Sequence, residues 1–200
     1  MDFSRPAFNQ RIRISNGRVI DPHNALDKVT DLFVADGLIV GIGSAPVGFK
    51  PDLEFDAGGM LVIPGAVDLC ARVREPGQTQ KGNIHSETRA AAAGGITHLC
   101  CPHDTKPVID TRAVAALIQE RAYQSGYAHV LPIGALTKGL QGQHLAEMHA
   151  LKEAGCIGVS QLRQPVKDSQ TLLRCLEYAS TFDLIVFFQS EDSSLSVKGG

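Results

Sequence analysis

From Arg11 to Gly43 the chain alternates apolar and polar residues in short runs, "RIRISNGRVIDPHNALDKVTDLFVADGLIVGIG". Asn16-Gly17, Asp21-Pro22 and Asp36-Gly37 interrupt the alternation with turn-forming pairs, which predicts hairpins in a small antiparallel sheet. After "FDAGGMLVIPGAVD" the pattern changes. Mostly apolar runs at 61–73, 96–101, 129–136, 156–160 and 184–189 read as strands, and stretches at 84–93, 112–125, 143–154 and 170–180 read as helices between them. Helices recurring between apolar strands predict a parallel sheet of βαβ units, the α/β class.

No strand-to-helix turn carries G-x-G-x-x-G or a Walker loop, so an open nucleotide-binding sheet has no motif in its favour. A closed eight-stranded barrel typically needs about 250 residues. With about five barrel-type strands visible, these 200 residues are expected to be the N-terminal part of a longer protein.

Composition narrows the function classes. An apolar content of 44% with 20% charge describes a folded globular chain. A net charge of -2 and a pI near 6.4 provide no basic field for nucleic acid. The longest apolar runs are strand-sized, far short of the roughly 20 residues that cross a bilayer. "MDFSRPAFNQRIRI" lacks the apolar core of a signal peptide, so a cytoplasmic location is expected. The five cysteines are odd in number, and Cys70, Cys100, Cys101 and Cys156 sit in apolar, strand-like stretches. That placement predicts buried reduced thiols rather than a disulfide framework.

Four segments, "VIPGAVDLCARVREPG", "ETRAAAAGGITHLCCPHDTKPVIDT", "HVLPIGALTKGLQGQHLAEMHALKEAGCIGVS" and "FFQSEDSSL", resemble successive parts of dihydroorotase. That amidohydrolase-superfamily enzyme closes carbamoyl-aspartate to dihydroorotate in pyrimidine synthesis. The resemblance runs from about Arg11 to the last residue. It implies that residues 1–60 are the N-terminal part of a small β-sandwich domain. Residues 61–200 would then be the first part of a (β/α)8 TIM-type barrel.

The family's chemistry uses zinc to polarise the substrate carbonyl and generate hydroxide, with ligands at the C-terminal ends of barrel strands. Its first strand carries Asp-x-His-x-His, and strand alternation turns both imidazoles inward. Here Asp68 is followed by Cys70 and Arg72. Cysteine can ligate zinc as thiolate, but arginine has no lone pair to give. Its charge also opposes the ion, since +1 and +2 at roughly 5 Å repel by about 7 kcal/mol at an effective dielectric of 20. Where the fourth strand supplies a carboxylate, "SQLRQPV" has Gln161, and where the next supplies histidine, "FFQSED" has Gln189. A neutral amide is a poor replacement for either ligand. Four degenerate ligand positions, Cys70, Arg72, Gln161 and Gln189, thus predict no metal.

Substrate recognition is half retained. Arg74 in "REPG" matches the family arginine that holds the substrate carboxylate by a bidentate contact. Asp104 in "PHDTKPVID" stands where the family has asparagine, and a carboxylate there repels a doubly negative substrate. An ion pair between Arg72 and Asp104 is expected to fill the vacated cavity.

Other constellations are weaker. Cys70, Cys100, Cys101 and His103 lie on or after neighbouring strands, but neighbouring positions on one strand face opposite ways. His144 and His149 are five apart, the wrong interval for one helical face. His85 and Glu87 open a helix, where capping and solvent roles are ordinary. Ser190-Glu191-Asp192 and Ser193-Ser194 offer hydroxyls without a G-x-S-x-G elbow.

The resemblance therefore implies a noncatalytic dihydroorotase homologue without cofactor, in hetero-oligomeric partnership with the catalytic chain of aspartate transcarbamoylase. The alternative is an active zinc-dependent dihydroorotase or other cyclic amidohydrolase, its metal held by downstream residues with Cys70 or Asp68. A third reading is a binder of pathway anions through Arg74.

Overall fold

The computed structural model describes residues 10–161, 164–166 and 168–189. The chain divides into two compact units, Met1–Gly65 and Ala66–Gly200.

The first unit is one sheet of β1 (Ile12–Asp21), β2 (Leu26–Ala35), β3 (Leu38–Ile42), β4 (Leu53–Asp56) and β5 (Leu61–Val62). The order is β3-β2-β1-β4, with β5 also beside β1. Asp36 and Gly37, both at positive φ, close the β2–β3 hairpin, the conformation that suits a two-residue turn between twisted strands. The sheet is mixed rather than wholly antiparallel, because β4 and β5 pair with β1 in parallel. The reason is the connection: residues 43–52, with Pro46 and Pro51, cross over instead of turning back tightly. Gly17 is required for this arrangement, since a Cβ there would lie 2.5 Å from Val62 Cγ2.

The second unit is a parallel sheet, β10-β9-β8-β7-β6, covered by helices. Its strands are β6 (Ala66–Asp68), β7 (Ile96–Cys101), β8 (His129–Ala135), β9 (Gly158–Ser160) and β10 (Ile185–Phe187). The helices are α1 (Ile84–Ala93), α2 (Arg112–Ser125), α3 (Met148–Glu153) and α4 (Ser169–Thr181). This is the expected βα alternation. Local chemistry sets the helix ends. Asn83 and Ser86 form a reciprocal capping box at the start of α1, worth about 1 kcal/mol. Gly126 takes the left-handed cap after α2, and the Asp168 carboxylate accepts from two backbone N–H groups at the start of α4.

Two elements differ from the sequence expectation. The run 61–73 is not one strand: Pro64 has no N–H for a ladder, and the chain divides there into β5 and β6. The helix expected over 143–154 is confined to 148–153. Residues 144–146 spend their backbone on the loop after β8 instead: Ala146 N–H donates to Leu136 O at 2.9 Å, and Lys138 N–H donates to His144 O at 2.8 Å.

The core lies between the parallel sheet and its helices. Leu151 of α3 is fully buried against β8, where a Cβ on Gly134 would meet Leu151 Cδ1 at 2.7 Å. Four of the five cysteines are buried and Cys70 is exposed. Burial pushes the Cys101 and Cys156 thiols up to about 12, and raises Cys100 and Cys175 as well. Because thiolate is the reactive form, these groups are inert while the fold holds.

Two outcomes follow. Leu151→Ala leaves a cavity that α3 cannot close, and should lower stability by about 2–5 kcal/mol in urea denaturation. A thiol-specific reagent at pH 8 should modify Cys70 alone in the native protein and all five cysteines after denaturation, as counted by mass spectrometry.

Candidate functional site

All strands of the second unit run the same way, so the loops that leave them gather at one end of the sheet. At the end of β6 the Asp68 carboxylate accepts from Cys70 N–H at 2.9 Å, which turns that amide away from the ladder and ends the strand. One further bond, Ala71 N–H to Cys100 O at 2.9 Å, keeps the segment alongside β7. Cys70 and Arg72 therefore lie beyond the strand, so strict alternation does not govern them. Cys70 is exposed, whereas Arg72 lines a cleft of about 220 Å³.

Arg72 reaches Asp104, which lies on the loop after β7. Its Nη2 and Nε donate to Asp104 Oδ2 at 2.8 and 3.2 Å. The hydrogen bond, ahead of the charge attraction, raises the Arg72 pKa. The side chains are 30% and 34% exposed, and a pair so open to water contributes of the order of 1 kcal/mol at most. Its effect is chiefly positional: the guanidinium is held on the cleft wall.

Gln161, at the expected carboxylate position, is 3% exposed, and both ends of its amide are hydrogen-bonded by the protein. Its Oε1 accepts from Thr137 Oγ1 at 3.0 Å and its Nε2 donates to Leu140 O at 3.1 Å. Thr137 Oγ1 in turn accepts from Gly142 N–H at 3.0 Å, so one buried amide organises the loop after β8. Gln189 is exposed just beyond β10, and Ser190 to Ser194 lie outside the described residues.

Arg74, Gln78, Cys101, Thr105 and Lys106 share the cleft wall with Arg72 and Asp104. Arg74 has φ of 61°, a left-handed backbone that costs a side-chain-bearing residue about 1 kcal/mol. Neighbouring Glu75 anchors this loop. It is mostly buried, accepts from Ile84 N–H at 3.0 Å at the start of α1, and pairs with Arg121 of α2. Sequence reasoning missed Lys106 as a cleft residue, although it stands two places after Asp104 in the same quoted segment.

A zinc site does not fit this donor set. The Arg72 position offers no lone pair, the Gln161 amide is committed to Thr137 and Leu140, and Cys70 stands in solvent. Among the described residues no three His, Cys, Asp or Glu side chains are placed to hold a metal ion. Cys70, Cys100, Cys101 and His103 accordingly form no alternative cluster. His149 on α3 packs beside Phe182, while His144 lies in the loop before that helix.

The dihydro-orotase-like family model matches residues 59–200. Dihydroorotase-like proteins of Pseudomonas putida and Pseudomonas aeruginosa are 52% and 50% identical over 188 residues, 94% of this chain and 44% of each relative. The dihydroorotase of Syntrophotalea carbinolica is 43% identical across 92% of this chain and 43% of its own length. The chain thus spans less than half the length of these curated relatives. Among solved structures, the L-hydantoinase (dihydropyrimidinase) of Arthrobacter aurescens shares the fold with a TM-score of 0.76 at 19% identity, over 93% of this chain and 42% of that one. No described helix is long and apolar enough to cross a membrane. With the family's pattern matched over residues 59–200 and at least half of the 188 aligned positions shared with relatives of that name, this chain belongs to the dihydroorotase-like family.

Proposed function

We propose that this chain is part of a noncatalytic dihydroorotase homologue of pyrimidine biosynthesis, a structural subunit that supports the assembly or activity of aspartate transcarbamoylase. The observation that carries the reading is Arg72, which stands at a metal-ligand position and is clasped by Asp104 at 2.8 Å. A cation bound to a carboxylate on the cleft wall supplies neither a lone pair nor a tolerant field for Zn²⁺. Gln161 supports the same reading, since its amide completes a buried network that a carboxylate cannot reproduce: a carboxylate has no N–H for Leu140 O.

On this reading no metal polarises the substrate carbonyl, and Arg72 and Gln161 supply no Lewis acid in its place. What remains is a packed framework and its surface, the part of a subunit that a partner contacts. The names of the relatives agree with this division, "dihydroorotase-like protein" at 50–52% identity and "dihydroorotase" at 43%. The transcarbamoylase partnership rests on the family resemblance, and a cytoplasmic location on the sequence expectation alone.

The test is elemental analysis of the full-length protein together with ring closure of carbamoyl-aspartate in added zinc. No stoichiometric metal and no turnover are expected, whereas about one tightly bound zinc per chain with turnover would establish the metal-dependent enzyme. Arg72→His alone should not restore stoichiometric zinc, because Gln161 and exposed Cys70 remain. Affinity purification should recover the aspartate transcarbamoylase catalytic chain at a fixed ratio; its absence from the assembly under native conditions would overturn the partnership.

A further inference from the structure

β7 and β8 pair in parallel with His98 directly beside His129. Leu99 and Val130, the next residue on each strand, are buried in the core against the helices, so strand alternation turns both histidines to the opposite face of the sheet. The two imidazoles stack there, with ring centroids 4.9 Å apart and planes 19° from parallel. They stand toward the starting ends of their strands, whereas the cleft with Arg72 and Asp104 lies at the other end.

Hydrogen bonding at His98 decides which of its nitrogens has a lone pair to offer. Thr97 Oγ1 lies 3.0 Å from His98 Nδ1, and the same hydroxyl donates its proton to Ala66 O at 3.4 Å. A hydroxyl has one proton, so toward the ring it acts as acceptor and Nδ1 carries the hydrogen. That tautomer leaves the lone pair on Nε2. An imidazole held by an acceptor at one nitrogen, with the other left basic, is the usual arrangement of a metal-bound histidine. His129 supplies a second imidazole from an exposed position.

Imidazole suits borderline divalent ions such as Ni²⁺ and Zn²⁺, and zinc takes its nitrogen at about 2.0–2.1 Å. The ion lies in the plane of each ring, so two stacked rings do not yet aim at one point. Because His129 is exposed, a turn about its Cβ–Cγ bond opens the stack without moving either strand. Among the described residues no third His, Cys, Asp or Glu joins the pair. Water then completes the coordination shell, and an ion held by two side chains exchanges with buffer and leaves on desalting.

We propose that His98 and His129 form a chelating site for a borderline divalent transition-metal ion, bound through Nε2 of His98 and a ring nitrogen of His129. The site uses no residue of the cleft. It goes beyond the noncatalytic reading and does not rest on it.

Calorimetric titration of the desalted full-length protein with Ni²⁺ tests the site. One saturable site per chain is expected. His98→Gln and His129→Gln should each abolish it, and Thr97→Val should weaken it about tenfold or more by removing the acceptor that fixes the ring. Cys70→Ser, which deletes the exposed thiol, should leave it unchanged. Unaltered melting temperatures would show that the variants are folded, and exposed His129 can be replaced without touching the core. No saturable Ni²⁺ binding, binding that His129→Gln leaves unchanged, or binding that Cys70→Ser removes overturns the proposal. The two readings fail separately: tightly bound zinc with turnover in His129→Gln would overturn the noncatalytic reading and leave this site standing.

Discussion

The parallel ladder from β6 to β10 is the constraint on which the second unit depends. Each strand must return to the starting end of the sheet before the next can pair in the same direction, so a crossover occupies every interval. The register from Leu99 beside Val130 to Ile133 beside Gly158 and Ile185 beside Gly158 keeps the strand ends together. As a result the loops after β6, β7 and β8 meet at one end whatever residues they contain. Small residues make the packing possible: a Cβ on Gly158 would stand 2.5 Å from Ile185 O, and Gly134 admits Leu151.

That separation between framework and loop chemistry lets the sheet form independently of the residues that line the cleft. Glu75, Gly77, Thr137 and Gln161 hold loops by backbone contacts and buried hydrogen bonds. Gln161 shows the principle most clearly, because its position demands an acceptor for Thr137 and a donor for Leu140 in almost complete burial. An amide satisfies both without desolvating a charge, and an unpaired carboxylate there would carry a heavy burial penalty.

Electrostatics follows the same division. Asp104 takes up the charge of Arg72, so the two side chains satisfy one another across 32 residues of chain. The remaining positive charge belongs to Arg74 and Lys106, whose loops are tied by their backbones. The cleft wall therefore carries more fixed positive groups than negative ones, an unfavourable field for a cation.

The α/β class, the bounds of α1 and α2, and the unsuitability of Arg72 as a ligand were legible in the sequence. They depend on local properties: apolar periodicity, Asn83 and Gly126 at helix ends, and a guanidinium without a lone pair. The pairing of Arg72 with Asp104 was legible as an expectation only, since its distance depends on how β6 and β7 align. The break at Pro64, the shortened α3 and the parallel pairing of β4 and β5 with β1 were not legible as regular periods, because backbone partners distant in sequence override local pattern there. The network around Gln161 and the bond from Lys106 N–H to Pro76 O were decided by tertiary structure alone. Residue types and local spacing determine what each side chain is able to do, but strand register and loop contacts determine which of them share one wall.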